Sequence, residues 1–237
     1  STASGADGLV TAGGKENKYQ MTLYDPSGYR DKMCGNAIRC LSLYYVKHGF
    51  DKDEVEIHTD DGLKIIKIVS LDPFQVKVNM QSFDWDPIKI PAITTLSKIH
   101  NEKFILNNGL IINYSAIKFG PAHVVIFLDQ IDEKKLLEIV SQINKPSLFP
   151  EEACYNFAKI IDRHNIELKT WERGIGFTLA CGTGSCATAA ISLIDDLTDN
   201  KVNVHQALGT LTIEKIDDSY HMQGTAAYVY TGEICID

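Results

Sequence analysis

The chain has 237 residues, 44% hydrophobic and 23% charged, which is typical of a soluble globular protein with a sizeable core. A formal net charge of −8 disfavours electrostatic binding of nucleic acid, and apolar runs such as His123–Leu128 are far shorter than the ~18–20 residues of a membrane span. Six cysteines do not make a disulfide scaffold in a chain this long, and no signal-peptide pattern is present, so we expect a cytoplasmic protein with reduced thiols.

Short runs rich in Val, Ile, Thr and aromatic residues predict the strands, and apolar residues at helical spacing predict the helices. The predicted strands are Lys18–Tyr24, Val55–Thr59, Lys64–Val69, Gln75–Met80, Ile111–Ile117, His123–Leu128, Asn156–Asp162, Glu167–Trp171, Val202–His205, Thr210–Lys215, His221–Ala226 and Val229–Ile236. The predicted helices are Ala37–Gly49, Glu133–Asn144 and Gly184–Asp196. Asp84–Thr95, with two prolines, is the longest candidate linker. These elements predict an α+β fold with much antiparallel sheet.

The sequence also contains an internal repeat. When it is shifted by 147 positions against itself, identical residues align without a gap: Cys34 with Cys181, Gly35 with Gly182, Val55 with Val202, His58 with His205, Gly62 with Gly209, and Ile66 with Ile213. The matches follow the order strand, Cys-Gly, helix, strand, His, Gly turn, strand. We interpret the chain as two halves of one ancestral unit.

Each half places Cys-Gly at the start of a predicted helix, in "MCGNAIRC" (Met33–Cys40) and "ACGTGSCAT" (Ala180–Thr188). Unpaired backbone N–H groups and the helix dipole make such a start an anion site, and the same field lowers the pKa of a thiol placed there. Two starts facing one cleft would hold a carboxylate, with Cys34 and Cys181 on either side of its α-carbon. That arrangement predicts a two-base racemase or epimerase that needs no pyridoxal cofactor.

Other interpretations of the cysteines are weaker. A single Cys-Gly at a helix start is usually a small buried residue, and we expect Cys40 and Cys186, inside the two helices, to be core residues. The spacings Cys-x5-Cys and Cys-x4-Cys match no usual zinc pattern. "GTGSCA" imitates a dinucleotide-binding fingerprint, but the next predicted strand ends in His205 where an acidic residue is needed.

"MCGNAIRC", "WERGIGFTLACGTGSCA" and the early "SGADGLV" resemble the diaminopimelate epimerase family along nearly the whole chain. The resemblance implies two pseudo-symmetric domains, each a curved, mostly antiparallel sheet around a central helix. The N-terminal half-domain would comprise 1–83 plus 227–237, with the last strand returning to the first, and the C-terminal half-domain would comprise 84–226. It also implies an isomerase of amino-acid metabolism, as in lysine biosynthesis, with an amino acid as its partner and neither cofactor nor metal. A homodimer is compatible with it.

Site residues carried over by this resemblance fall into three groups. The acid–base pair would be Cys34 and Cys181, with His123 and Glu172 beside them to set their protonation. The substrate α-carboxylate would be held by Gly35, Asn36, Gly182 and Thr183. The far end of the substrate would meet Arg173, Asp25 and Cys154.

The chain also departs from the family pattern. The family's first strand and a Gly-rich turn with a substrate-binding Asn would precede Ser1, so we expect either a truncated chain or a sequence that lacks these residues. Three asparagines that hold the distal group of diaminopimelate are replaced, by Asp25, Pro121 and Cys154. Hydrogen bonds to a charged group contribute ~1.5–3 kcal/mol each, so their loss would weaken recognition of a second carboxylate.

The altered distal positions predict a different substrate, and histidine is favoured because related enzymes racemise it with the same cysteine pair. Arg173 would then pair with Asp25, and Tyr155 and Trp171 would contribute a flat wall. Two further hypotheses stay open: a homologue that binds an amino acid without converting it, and a thiol redox protein that uses Cys34 and Cys181.

Overall fold

The computed structural model describes residues 8–13, 19–25 and 27–233. The chain divides into two compact units, Ser1–Val78 with Gln223–Asp237, and Asn79–Met222. The first four residues of "SGADGLV" lie outside the described residues, and so does Lys18, the first residue of the strand predicted at Lys18–Tyr24. Among the residues described, no helix combines the length and apolar character needed to cross a membrane.

In its described residues, the first unit is built on one helix and a mixed sheet. Its elements are β1 (Leu9–Gly13), β2 (Tyr19–Tyr24), β3 (Arg30–Asp31), α1 (Gly35–Lys47), β4 (Glu54–Thr59), β5 (Gly62–Leu71) and β6 (Phe74–Asn79). The strands lie in the order β1-β2-β4-β5-β6, and β3 pairs with β2. The chain passes from this unit to the second within β6.

The second unit contains the other two helices. Its elements are β7 (Ile99–Ile105), β8 (Ile111–Lys118), β9 (Ala122–Phe127), α2 (Glu133–Ile143), β10 (Cys154–Asp162), β11 (Asn165–Glu172), β12 (Gly176–Thr178), α3 (Gly182–Ile194), β13 (Lys201–Gln206), β14 (Gly209–Ile216) and β15 (Ser219–Thr225). The strands lie in the order β15-β14-β13-β11-β10-β9-β8-β7, and β12 pairs with β11. The α+β class predicted from the sequence is confirmed.

Each described helix connects a pair of parallel strands. α1 lies between β2 and β4, α2 between β9 and β10, and α3 between β11 and β13 along the chain, and each of these strand pairs is parallel. Parallel neighbours need a long crossover connection, which a helix supplies. Both Cys-Gly sequences therefore stand at the beginning of a crossover helix.

The elements follow the repeat predicted from the sequence. α1 and α3 begin and end at positions 147 residues apart, and so do β4 and β13. The matched glycines at the next turn both have positive φ, +94° at Gly62 and +135° at Gly209, a conformation that a side chain disfavours. The repeat thus preserves local backbone geometry as well as element order.

The two repeated helices differ in burial, and one sequence expectation is wrong. α3 contacts β8, β9, β10, β13 and β14, and Cys186 is fully buried as expected. Cys40, predicted as core, is exposed. It lies with Tyr44 and Lys47 on the solvent face of α1, at i, i+4 and i+7, and it lines an open groove of about 510 Å³ with Tyr44 and Tyr228. α1 is covered by sheet on one side only.

The core on the α2 side of the second unit corrects another expectation. Strand alternation turns Tyr155 and Phe157 toward this core, while Asn156, between them, points to the opposite face. Tyr155 is fully buried, its hydroxyl donates to Asn144 Oδ1 at 3.1 Å, and Trp171 packs against the same cluster. Tyr155 is therefore a core residue and the part of a flat substrate wall expected of it is wrong, whereas the partly buried Trp171 packs at the edge of this core.

Three element predictions also need correction. Asp84–Thr95 is packed rather than linking, because Ile90 is buried and Asp84 bridges to Lys118. Residues 229–233 form no strand, and the rest of the strand predicted at Val229–Ile236 lies outside the described residues. Four strands were not predicted from the sequence, because they are short or contain Gly, Asn, Glu and Lys, which have low β-propensity. They are β1, β3, β7 and β12.

Candidate active site

Cys34 and Cys181 occupy the same structural position, the N-cap of a repeated helix. Cys34 has φ −134° and ψ 127°, and Cys181 has φ −132° and ψ 114°. Each carbonyl accepts the first helical hydrogen bond at 3.0 Å, from Ile38 N–H and Ser185 N–H respectively. The prediction that both cysteines stand at helix starts is confirmed, and the first-turn N–H groups after each one point away from the helix.

A partly buried cation lies beside the first cysteine. Arg39 donates from Nη1 to the Gly35 carbonyl at 3.2 Å and to Asn36 Oδ1 at 3.0 Å, and from Nε to the Thr225 carbonyl at 3.1 Å. Burial lowers the pKa of Arg39, while attraction to Cys40 and Cys34 opposes that fall. The guanidinium therefore orients the Asn36 side chain and supplies positive charge near the Cys34 sulfur.

The second cysteine lies in a different environment. Cys181 is buried, and its Sγ accepts a hydrogen bond from Gly184 N–H at 3.4 Å and lies 3.6 Å from Thr183 Oγ1. Burial raises the pKa of this thiol well above its ordinary value, and the nearby Glu172 and Cys154 raise it further. The expectation that the helix start lowers this pKa is wrong for Cys181, because desolvation of the thiolate outweighs the two hydrogen bonds.

Glu172, Cys154 and Arg173 lie in the same unit as Cys181. Glu172 Oε1 accepts a hydrogen bond from Thr178 Oγ1 at 2.6 Å, and Arg173 Nη1 donates to the Glu151 carbonyl at 3.0 Å. Cys154 is buried, and burial raises the pKa of its thiol to about 11. It is thus a neutral side chain at neutral pH.

His123 is a neutral, fully buried histidine. Burial lowers its pKa to about 3, and interaction with the Phe119 backbone opposes this only weakly. Its Nδ1 lies 3.1 Å from Asn156 Nδ2. Cys154 is its register partner on the adjacent parallel strand, so the fold brings His123 into the neighbourhood of the residues around Cys181.

Two other positions singled out in the sequence have local structural roles. Asp25 Oδ1 accepts hydrogen bonds from Ser27 N–H at 2.8 Å, Ser27 Oγ at 2.6 Å and Tyr29 N–H at 2.9 Å, and these bonds lower the pKa of its carboxyl. Pro121 accepts a hydrogen bond at its carbonyl from Phe119 N–H at 3.0 Å. In the described part of the chain, no three His, Cys, Asp or Glu side chains group as metal ligands.

Comparison with known proteins identifies the family. The profile of the diaminopimelate epimerase family matches residues 115–232. Diaminopimelate epimerase of Clostridium perfringens is 36% identical over 233 residues, covering 96% of this chain and 84% of that protein. The enzyme of Agathobacter rectalis is 32% identical over 244 residues, covering 98% and 86%. The chain belongs to the diaminopimelate epimerase family. The resemblance noted in the sequence is thereby confirmed, and the family is one of isomerases.

Solved structures support the same fold. The Bacillus anthracis phenazine biosynthesis protein of the PhzF family aligns with a TM-score of 0.67 at 18% identity, covering 98% of this chain and 86% of that one. A hydroxyproline epimerase from Agrobacterium vitis aligns with a TM-score of 0.64 at 12% identity, covering 92% and 71%. At these identities the likeness shows the fold alone.

Three polar residues around the helix starts were not predicted from the sequence as site residues. Arg39 lies within the quoted "MCGNAIRC" and follows Cys34 by five positions, so the sequence does indicate a cation near the thiol. Asn156 and Thr170 were assigned only to strands. Their meeting under α3 depends on the register of β10 and β11, which pairs them directly and which no local pattern reveals.

The different environments of the two cysteines predict different reactivity. With limiting iodoacetamide at pH 8, we expect Cys34 to be alkylated at least about tenfold faster than Cys181, because each unit by which a pKa exceeds the pH removes tenfold of the thiolate. Peptide mass spectrometry of native protein measures both rates, with urea-unfolded protein as the control in which they should converge. Equal native rates would contradict the described burial of Cys181.

Proposed function

We propose that this member of the diaminopimelate epimerase family is an amino-acid epimerase or racemase that uses Cys34 and Cys181 as acid and base at the substrate α-carbon. The observation that supports it most is the repeated N-cap position of the two cysteines, with nearly the same backbone angles at the start of matched helices. The identity of 36% to a diaminopimelate epimerase supports the reaction class independently.

The proposed substrate grip uses backbone donors. The N–H groups of Gly35 and Asn36 begin α1, and those of Gly182 and Thr183 begin α3. Such groups, with the positive ends of the two helix dipoles, would hold an α-carboxylate and stabilise the charge that develops when the α-proton leaves. Glycine directly after each cysteine leaves room for a ligand to approach the backbone.

The two environments suggest how protons are distributed before reaction. Cys181, whose pKa burial raises, would hold its proton, while Arg39 supplies positive charge that favours a thiolate at Cys34. For one enantiomer, the Cys34 thiolate would take the α-proton as the Cys181 thiol gives its own proton to the opposite face. The product then leaves with Cys34 protonated and Cys181 ionised, the state needed to convert the other enantiomer.

Deuterium exchange tests this proposal directly. Incubation in D2O with free L-amino acids, including LL-diaminopimelate, should place deuterium on the α-carbon of the inverted product, because the acid cysteine exchanges with solvent. NMR and chiral chromatography would follow label and inversion together. Binding without label would support the inactive homologue, and thiol oxidation without label would support the redox alternative. Either result would overturn the proposed reaction.

A second substrate candidate is favoured by Cys154. In the resemblance described above this position holds the distal group of diaminopimelate with an asparagine, whereas here a buried thiol with a pKa of about 11 offers no amide donor. Arg173 is engaged by the Glu151 carbonyl at 3.0 Å. These contacts favour an amino acid with a single carboxylate. Histidine remains the first to test, although Tyr155 of its expected wall belongs to the core and Trp171 packs against that core.

We therefore expect kcat/KM for L-histidine to exceed that for LL-diaminopimelate. The physical reason is the loss of hydrogen bonds to a second carboxylate, at ~1.5–3 kcal/mol each. Steady-state kinetics on both substrates under one set of conditions gives the ratio. A ratio favouring diaminopimelate by tenfold or more, about 1.4 kcal/mol of transition-state binding, would restore diaminopimelate as the substrate. A Cys154→Asn variant should shift the ratio toward diaminopimelate.

A further inference from the structure

A fully buried polar cluster lies beneath the first turn of α3. Its members are His123 on β9, Asn156 on β10 and Thr170 on β11, three adjacent strands. Asn156 and Thr170 are direct cross-strand partners. Asn156 Nδ2 lies 3.1 Å from His123 Nδ1 and 3.2 Å from the Val124 carbonyl, and Thr170 Oγ1 lies 3.1 Å from Asn156 Oδ1. The amide is thus bonded on both of its ends.

The Val124 carbonyl determines which way the amide faces. A carbonyl oxygen can only accept, so the atom of Asn156 next to it must be the nitrogen, and the Thr170 hydroxyl then donates to Oδ1. The same NH2 group presents its second hydrogen to His123 Nδ1. Nδ1 must therefore be an acceptor, which leaves the single proton of the neutral ring on Nε2.

The Phe119 backbone also interacts with the His123 ring, but the described part of the protein gives Nε2 no hydrogen bond of normal geometry. Nε2 is also buried. Buried polar groups are nearly always paired, so an unpaired buried donor calls for an explanation such as a ligand that supplies the acceptor. The ring also stays neutral, because burial lowers its pKa to about 3.

The cluster touches the catalytic helix start through a glycine. A methyl group added at Gly184 would lie 2.3 Å from Asn156 Oδ1, 3.2 Å from Cys181 Sγ and 3.3 Å from Thr170 Oγ1. The repeat places Ala37 at the matching position of α1, so a side chain is tolerated there in the first half. Close approach of the Asn156 amide to the Cys181 turn is specific to the second half.

We propose that Asn156 is a positioning residue that fixes His123 as the neutral Nε2–H tautomer. In that form His123 is a hydrogen-bond donor for an anion bound at the start of α3, and it is not a group that gives or takes a proton during turnover. The catalytic consequence rests on the proposed function. The tautomer itself does not, because it follows from the contacts of Asn156.

The first test needs no variant. In protein labelled with ¹⁵N-histidine, long-range ¹H–¹⁵N NMR distinguishes the two tautomers and the charged ring, and the His123 signals are assigned by their loss in His123→Gln. We expect the Nε2–H tautomer with no titration between pH 5 and 8. An Nδ1–H tautomer, or a titration in that range, would overturn the proposal whatever the activity. If the Nε2–H form is found and no amino acid is deuterated, the proposed function fails instead.

The second test changes the acceptor pattern. In Asn156→Asp a carboxylate faces Nδ1, so we expect a proton to move to Nδ1 and kcat for α-deuteration to fall ~10–100-fold with KM changed less than threefold. Ser192→Ala is the matched control, because Ser192 Oγ makes a buried hydrogen bond of 2.7 Å to Thr198 Oγ1 at the other end of α3. Ser192→Ala should lose about as much thermal stability as Asn156→Asp, but it should keep the kcat and the His123 NMR signals of the wild type.

Two outcomes of these variants would overturn the proposal. The first is an Asn156→Asp protein whose tautomer changes while kcat stays at the level of Ser192→Ala. The second is a loss of kcat in Asn156→Asp with the His123 signals unchanged. If Asn156→Asp does not fold, Thr170→Val removes only the hydroxyl that holds Oδ1, and a mixture of both tautomers with a smaller loss of kcat is the expected result.

Discussion

Cys34→Ala and Cys181→Ala are each expected to lower kcat for inversion at the substrate α-carbon by on the order of 10³-fold or more. General acid–base groups contribute ~10²–10⁴-fold, and a racemase with one thiol lacks either the group that removes the proton or the group that returns it. Chiral chromatography of product measures inversion, and deuterium incorporation measures exchange. Single-base exchange without inversion in one variant would show which thiol removes the proton from which enantiomer.

Two other cysteines provide matched controls for this experiment. Cys40→Ala changes an exposed residue of α1, and Cys186→Ala changes a fully buried residue one turn into α3. Both should keep kcat within about twofold, with Cys186→Ala losing about 1 kcal/mol of unfolding free energy through lost packing. Near-normal turnover in Cys34→Ala or Cys181→Ala would contradict the two-base mechanism.

Acidification is expected to destabilise the protein through His123. Its folded-state pKa of about 3 lies below the ordinary value of 6.5, so below pH 6.5 the unfolded chain binds a proton that the folded protein does not. The free energy of unfolding therefore decreases by about 1.4 kcal/mol for each unit by which the pH is lowered below 6.5. The total loss approaches about 5 kcal/mol once the pH is below 3. Above pH 6.5 the group contributes no pH dependence.

His123→Gln isolates this contribution, because glutamine does not titrate. Urea unfolding at pH 7 and pH 4.5 gives each protein's loss of unfolding free energy, and the loss should be about 2.5 kcal/mol larger in wild type than in the variant. His48→Gln, at an exposed histidine, is the control and should behave as wild type. Parallel losses in wild type and His123→Gln would mean that His123 is not buried neutral.

The two cysteine positions show which structural features the local sequence predicts. Cys-Gly before an apolar run predicts an N-cap, because glycine and a short polar residue suit the first turn, and both N-caps were found there. Both ends of α1 and α3 differ by the same 147 residues, since a repeat without gaps preserves the lengths of its elements. The helix starts, the α+β class and the family were thus determined by the sequence alone.

The burial and the polar contacts of these side chains were decided only by the tertiary structure. Cys40 and Cys186 both lie within a helix, yet one is exposed and the other fully buried, because strands cover α3 on many sides and α1 on few. The rise in the pKa of Cys181 comes from the same enclosure, which outweighs the helix start that the sequence does reveal. Strand register places Asn156 opposite Thr170 and beside His123, although 33 residues separate Asn156 from His123. Burial and strand pairing depend on residues distant along the chain, so no local pattern contains them.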